Sequence, residues 1–540
     1  MNGLMMSFPL TTNYILEYAN RVFPHKHIIT KQPNGSTHKY SYAEMYKRTM
    51  KLGNALKNKL GINPEDRVAT FAWNNYQHLE LYYAIPAIGA ICHPLNLRLS
   101  VEQISYIINH AEDRVVFVDA TLLPLLQQVA PHTPKVEYYI LLNAPKDVVT
   151  TLPNIIHYED LIADESEVLI YAKTTEETAV GMCYTSGTTG DPKGVLYSNR
   201  STYLHAMALN MPNATGIKPN DTVLLIVPQF HVMAWGFPYS CMMIGADMVM
   251  PGPHLNPKAI IKAINDENIT VANGVPTIWQ GVYAELKTGE AKIPGFRTLM
   301  VGGSAFPKSM IKGFKEDFNI ETIHAWGMTE TSPLGTLSRL QKHHEGLNSE
   351  EKYTLQAKQG VEMLGVEIRI VTEDGSIALR DGKTVGEIEV QGNWVVNGYY
   401  KSESDNFTDD GWFKTGDVGT LDSEGYMDIT DRTKDLIKSG GEWISSVALE
   451  NALCGSDFVK EAAVIAIPDE IWAERPLALI VLHDGTELHV DRLNELLKSN
   501  SFTKYQIPDK YVVVSEIPKT SVGKINKKEL RRMYAANQIM

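Results

Sequence analysis

The sequence predicts an α/β protein: a large N-terminal region of layered α/β subdomains ending in a small β-barrel, then a small C-terminal α+β domain. Three observations carry this expectation. Strand-like and helix-like segments alternate up to about Glu362. Beyond it the texture changes to short alternating strands separated by D-G or E-G turns. A charged segment, 431–438, then precedes a compact pattern that fills the rest of the chain.

Helical periodicity is expected over 42–60, 257–268 and 490–500. Short apolar runs rich in β-branched residues, at 114–119, 136–142, 223–228 and 298–302, read as buried strands. VEIRIV, GEIEVQG and GYMDIT supply the small antiparallel sheet or barrel. The final pattern is a helix near 446–454, AAVIAIPD, LALIVL, a second helix and YVVVSEIP. The expected domains are 1–432 and 433–540, with no internal repeat or low-complexity run.

The chain has 540 residues and a net charge of −13, which disfavours a nucleic-acid partner because phosphate contacts need a basic surface. It leaves room for a locally positive nucleotide pocket. Cys92, Cys183, Cys241 and Cys454 are scattered, as expected of small buried hydrophobes in a reducing compartment. The start, MNGLMMSFPL, has no basic region before an apolar stretch, so no secretory signal is expected. The most apolar stretches, 82–95 and 232–250, are interrupted by Pro, Gly and polar residues, so no membrane span is expected either. The expected location is the cytoplasm.

The strongest local feature is YTSGTTGDPKG at 184–194, which follows the apolar stretch 179–183. Thr185, Ser186, Thr188 and Thr189 offer hydroxyls, Lys193 offers charge, and Gly187 is the first of three glycines. Glycines let backbone N–H groups turn toward an anion, so this chemistry suits a polyphosphate. The spacing from Gly187 to Lys193 is not that of a Walker A loop. The segment resembles the phosphate loop of the adenylate-forming superfamily, which includes acyl-CoA synthetases, adenylation domains of peptide synthetases and beetle luciferase. The resemblance continues through further motifs, in order, from about Tyr40 to Arg531. In texture the chain looks most like medium- and long-chain fatty-acid CoA ligases of bacteria and archaea.

Each further motif has a reading in that light. HAWGMTETSP, 324–333, is similar to the second nucleotide motif and brings His324, Ala325, Gly327 and Met328 to the nucleotide. Trp326 offers a flat face for adenine, Thr329 reaches a phosphate, and Glu330 is a hard oxygen ligand for Mg²⁺, joined by Thr185. The turn Gly302, Gly303, Ser304, Ala305 is implied to run past adenine and to border an acyl tunnel. GWFKTGD resembles the ribose motif, with Asp417 accepting from the ribose hydroxyls. In DRTKDLIKSGGEWI, the resemblance puts Arg432 beside ribose or phosphate, Lys434 at a hinge, Gly440 and Gly441 on the CoA path, and Trp443 near the nucleotide. IPKTSVGKIN carries Lys524, implied to be the catalytic lysine.

The implied reaction is attack of a carboxylate on the α-phosphorus of Mg·ATP, then transfer of the acyl group from acyl-AMP to the thiol of CoA. ATP and CoA are the co-substrates and Mg²⁺ the metal. A homodimer is common among such relatives. For the acyl site, VPQFHVMAWGFPY places His231 beside the acyl carboxylate and Trp235 at the tunnel mouth, with Val275 lining the same space. No acidic residue falls between Pro228 and Ala246, which opposes an amino-acid substrate. Gly327 stands where acetate-specific relatives carry Trp, so an open tunnel for medium or long chains is expected. The competing expectations are a short-chain or aryl acid, a carrier protein as acceptor, and an inactive nucleotide sensor.

Overall fold

The computed structural model describes all residues except 2, 186–190, 440, 441, 501, 521–523 and 540, and the backbone alone of 442. Two large sheets dominate. The first has nine strands in the spatial order Val361–Glu362, Leu334–Ser338, Glu321–Gly327, Thr298–Gly302, Val271–Gly274, Thr222–Leu224, Asp247–Met250, His27–Lys31 and Thr37–Ser41. Its central strands are parallel and its margins antiparallel. The second runs Ile155–His157, Tyr138–Leu142, Val115–Asp119, Arg67–Phe71, Ile91–Pro94, Ala179–Tyr184 and Gly194–Ser198, parallel except for its last pair.

Helices cover these sheets, and their starts follow from local chemistry. Ser41, Asn75, Ser100 and Ser198 cap helices Tyr42–Asn58, Tyr76–Ala87, Val101–Ala111 and Asn199–Leu209, accepting from the N–H three residues on. All twelve residues of Tyr76–Ala87 are buried, as expected of a helix that is apolar on every side. The run expected as a strand over 223–228 leaves the ladder after Leu224. Asn74 takes over there: its Nδ2 donates to Leu225 O and Val227 O (both 2.8 Å) and its Oδ1 accepts from Gln229 N (2.7 Å). This side-chain ladder carries the backbone off the sheet toward His231.

The expected barrel is instead an open four-stranded meander, Val366–Val371, Gly386–Gly392, Phe413–Leu421 and Met427–Arg432, whose first and last strands do not pair among the described residues. Closure is unnecessary because one face is already covered. Ile368, Ile370, Ile388, Val390, Phe413 and Met427 share a buried cluster with Trp326 and Leu334 of the nine-stranded sheet.

The last part of the chain forms a five-stranded sheet built on the long hairpin Val459–Asp469 and Ala473–Leu482. Its core clusters are its own, around Leu449, Leu453, Val464 and Leu493 on one face and Ile465, Leu477, Ile517 and Leu530 on the other. Among the described residues no helix is long and apolar enough to cross a membrane.

Candidate active site

A cavity of about 730 Å³ opens where the ends of strands Ala179–Tyr184, Thr298–Gly302 and Glu321–Gly327 meet the meander and the C-terminal part. Ends of parallel strands are where α/β sheets place ligands, since backbone N–H groups and loops converge there. A second cavity, of about 270 Å³, adjoins it, and the two share Ala325, Trp326, Gly327, Met328, Arg432 and Lys524.

Thr185 and Lys193 form the neck of the hydroxyl- and glycine-rich loop. Thr185 N donates to Lys193 O (2.9 Å) and Lys193 N to Thr185 Oγ1 (3.1 Å), which closes the hairpin with both residues on the cavity wall. Lys193 Nζ lies 4.7 Å over the ring of Tyr399 and donates to Ser404 Oγ (3.3 Å). Ser186, Gly187, Thr188 and Thr189 lie outside the described residues, as do Gly440 and Gly441.

Glu330 is 7% exposed and lines the large cavity with Thr329. Burial raises its pKa, opposed first by the hydrogen bond from Tyr399 OH to Oε1 (2.8 Å). No cationic side chain among the described residues lies within ion-pair distance of it. A buried carboxylate held by a hydroxyl, with no cationic side chain paired to it, fits a hard cation such as Mg²⁺, and the Thr185 hydroxyl lines the same cavity.

Trp326, Asp417 and Arg432 form a second linked group. Trp326 Nε1 donates to Asp417 Oδ2 (2.9 Å), and Arg432 Nε lies 3.3 Å from Asp417 Oδ1, because Asp417 and Arg432 are register partners in the meander. His324 Nδ1–H donates to Ala357 O (2.9 Å). Gly303, at φ +87°, turns the chain into Ser304 and Ala305 along the smaller cavity.

Lys524 reaches this space from the C-terminal part. Its segment is tied by Thr520 N to Lys524 O (2.7 Å) and Lys524 N to Thr520 Oγ1 (3.2 Å). Burial, then the charge of Arg432, lowers its pKa to about 8, while Asp417 and Glu330 pull the other way. Lys434 lines the same cavity, its pKa lowered by burial and by Arg432. His231 is held neutral, its pKa pushed to about 3 by burial, then Lys524 and Arg98.

Trp235 lies against the glycine turn: a Cβ on Gly302 would meet its Cη2 at 3.2 Å, and one on Gly303 would meet Val275 Cγ1 at 3.3 Å and Trp235 Cζ2 at 3.9 Å. A separate cavity of about 30 Å³, lined by Ile226, Val275, Ile278 and Arg98, shares Phe230 and His231 with the large one. Val232, Met233, Ala234 and Trp235 are all left-handed, with φ of 40° to 54°. Such a run is costly for L-residues and is held only by its surroundings.

Two expectations change. Gly327 does not keep an acyl tunnel open: a Cβ there would stand 1.8 Å from Pro333 O, so the glycine is required where strand Glu321–Gly327 bulges against its neighbour. Trp443 is not at the nucleotide. It alternates with buried Ile444 on strand Glu442–Ile444, so it points outward, with Lys438 Nζ 4.7 Å over its ring. Sequence reasoning also missed Tyr399 and the pair His110 and Tyr184, whose Nδ1 and OH are hydrogen-bonded at 2.6 Å on the cavity wall. The N-G-Y-Y-K run ahead of the ribose motif was the available signal for Tyr399.

His343, His344 and Glu424 also cluster, outside this cavity. Gln341 N donates to His344 Nδ1 (3.0 Å), which puts the ring proton on Nε2, facing Glu424 (2.6 Å). That pattern is a hydrogen-bonded clasp, because a metal on Nε2 would need the proton on Nδ1.

A family model described as AMP-binding enzyme matches residues 16–400, and one described as AMP-binding enzyme C-terminal domain matches 448–524. The chain is 43% identical over 535 residues to a medium-chain-fatty-acid–CoA ligase of Ectopseudomonas oleovorans, covering 99% of this chain and 98% of that protein. It is also 43% identical over 532 residues to a 3-methylmercaptopropionyl-CoA ligase of Ruegeria lacuscaerulensis, covering 98% of each. Its fold is similar to that of the anthranilate CoA ligase AuaEII in complex with anthranoyl-AMP, with a TM-score of 0.86 at 22% identity, over 99% of this chain and 100% of that one. The convergence of phosphate loop, carboxylate, ribose acceptor and lysine agrees with these matches: the chain belongs to the adenylate-forming family of AMP-binding enzymes, and within it to the AMP-forming acyl-CoA ligases.

Proposed function

We propose that the chain joins a straight-chain acid of short to medium length to CoA, through an acyl-adenylate. The observation that carries this reading is the meeting of buried Lys524 with Glu330, Asp417 and Arg432 in one cavity, beside the narrow acyl space closed by Trp235.

The first step brings two anions together, so its barrier is one of positioning and charge. The phosphate loop from Thr185 to Lys193 holds the β- and γ-phosphates. Asp417 accepts from the ribose hydroxyls, and Trp326 stacks on adenine with its N–H fixed by Asp417. Neutral His231 donates to the incoming carboxylate without competing as an anion or cation. The carboxylate oxygen attacks the α-phosphorus, the bond to pyrophosphate breaks, and the charge that builds on the phosphoryl oxygens is met by Lys524. Glu330 and Thr185 would hold Mg²⁺, which supplies charge neutralisation when bound with ATP.

In the second step the CoA thiolate attacks the acyl carbonyl and AMP leaves. We place the domain boundary at 432/433, the hinge at Lys434 and the pantetheine path at Gly440 and Gly441. Lys524 then leaves the cavity as the C-terminal domain turns.

The medium- or long-chain expectation rested on Gly327, which the backbone explains otherwise. In the present arrangement a tail of more than a few carbons meets the Trp235 indole, which favours the short-chain alternative; longer acids require that ring to swing aside. The test is CoA-dependent AMP release with Mg·ATP across straight-chain acids from acetate to palmitate, with benzoate as control. A maximum among short or medium acids supports the reading, and a maximum at palmitate or benzoate refutes the acyl assignment. AMP-forming turnover without CoA would shift the acceptor to another thiol, and no turnover with any acid would favour a nucleotide sensor.

A further inference from the structure

We infer that Tyr399 is a positioning residue for the adenylation step, joining the metal-binding carboxylate to the phosphate-loop lysine; this rests on the reading of Glu330 above. Its hydroxyl donates to Glu330 Oε1 (2.8 Å), and its ring face carries Lys193 Nζ at 4.7 Å. One side chain therefore touches both groups that would meet the metal–phosphate pair.

The ring itself is fixed. Phe407 and Phe413 pack on it with centroids at 6.2 and 6.5 Å. The next residue, Tyr400, donates its N–H to Gly194 O (2.9 Å), at the foot of the phosphate loop. Glu330 is tied to the same stretch of chain, since Val396 N donates to Glu330 O (2.8 Å). The carboxylate thus has a fixed backbone and one fixed oxygen. Lys193 is held by a ring face and the Ser404 hydroxyl (3.3 Å), contacts weak enough to yield to a phosphate and directional enough to keep the ammonium in place beforehand.

Preorganisation of this kind lowers the cost of binding a metal–phosphate pair, because neither group must be ordered when ligand arrives. A purely structural tyrosine would instead support the cavity as a whole.

Calorimetric titration with ATP separates the two cases, run once in EDTA and once with Mn²⁺, with loss of the free Mn²⁺ signal in electron paramagnetic resonance as a second readout. Tyr399→Phe is expected to weaken Mn²⁺·ATP binding about tenfold, the order set by one hydrogen bond to a charged group. ATP binding in EDTA is expected to stay within about twofold of the parent protein, and conversion of supplied acyl-AMP to thioester to stay unchanged. Tyr399→Leu, which also removes the ring face, is expected to weaken ATP binding in EDTA by a further factor of about three. Unchanged Mn²⁺·ATP binding by Tyr399→Phe overturns the inference, as does equal weakening with and without metal. Should the parent protein itself bind ATP no better with Mn²⁺ than in EDTA, the metal reading of Glu330 fails and the inference falls with it.

Discussion

The most demanding test concerns Lys524, because its charge is set by neighbours that can be changed one at a time. Its pKa is lowered to about 8 by burial and by Arg432, and raised by Asp417 and Glu330. If only the ammonium form promotes adenylation, the competent fraction in the free enzyme is about nine-tenths at pH 7 and about one-tenth at pH 9. The sign follows from the direction of the shift: a lowered lysine pKa means that charge is lost as pH rises through 8. Thus kcat/KM for ATP in acid-dependent pyrophosphate exchange should fall about tenfold per pH unit above 8. Lys524→Arg should flatten this limb, since a guanidinium stays charged. Arg432→Gln removes a repelling charge and should move the limb to higher pH, whereas Asp417→Asn removes an attracting one and should move it lower. Both variants also weaken ATP binding, so the midpoint, and not the height, is what discriminates. A limb that persists in Lys524→Arg, or that moves the same way in both neighbour variants, would refute the electrostatic assignment.

Three further outcomes are expected. Trp235→Ala should remove the indole from the Gly302–Gly303 turn and move the preference to longer acids, by about fourfold in kcat/KM per added methylene at about 0.8 kcal/mol each, read from the chain-length profile. Gly327→Ala should abolish adenylation equally for every acid, because its Cβ displaces the Pro333 backbone beside Thr329 and Glu330; a selective loss of long acids would restore the tunnel reading. With its pKa near 3, His231 should contribute no inflection between pH 5 and 7, and His231→Asn should reduce acid-dependent turnover by the same factor at pH 5.5 and 7.5.

Much of this site was legible in the sequence because its chemistry comes in short strings of fixed order. Thr185, Lys193, Thr329, Glu330, Asp417, Arg432 and Lys524 were nominated from motifs; the first four line the larger cavity, Asp417 the smaller, and Arg432 and Lys524 both. What strings do not encode is pairing between distant elements. Trp326 and Asp417 are 91 residues apart, and Glu330 and Tyr399 are 69 apart; their hydrogen bonds depend on how the meander docks on the nine-stranded sheet. Nor could composition reveal the left-handed turn of Val232 to Trp235, since none of those side chains favours positive φ. Gly327 illustrates a different failure: a glycine tells the reader that a side chain is absent, but the direction its Cβ would take is a property of the backbone. Trp443 was misread in a related way, because a strand of three residues leaves its facing to be decided by Ile444.

The charge pattern gives a reason for Lys524, the lysine proposed to act in adenylation, to sit on a separate part of the chain. A chain with net charge −13 lines its large cavity with Lys193, Arg432, Lys434, Lys524, Lys528 and Arg531, which concentrates positive potential where two anions must meet. The same potential opposes product release, since it also holds pyrophosphate and AMP. Lys193 belongs to the seven-stranded sheet and Arg432 to the meander, so neither can withdraw without disturbing a core. Lys524, Lys528 and Arg531 belong to the C-terminal part, whose core clusters include no residue of the two large sheets. They can leave as a unit with Lys527, taking four of the eight Lys and Arg side chains that line the cavity. If the C-terminal domain turns as proposed, its departure would do more than open a path for CoA: it would weaken the field that favours adenylation, at the stage when a thiolate, itself an anion, must approach. Neutralising Lys528 and Arg531 together should therefore speed pyrophosphate release in a single-turnover assay while leaving the pH midpoint of Lys524 almost in place, and a slower release would show that these two residues act only as structural partners of Asp435 and its neighbours.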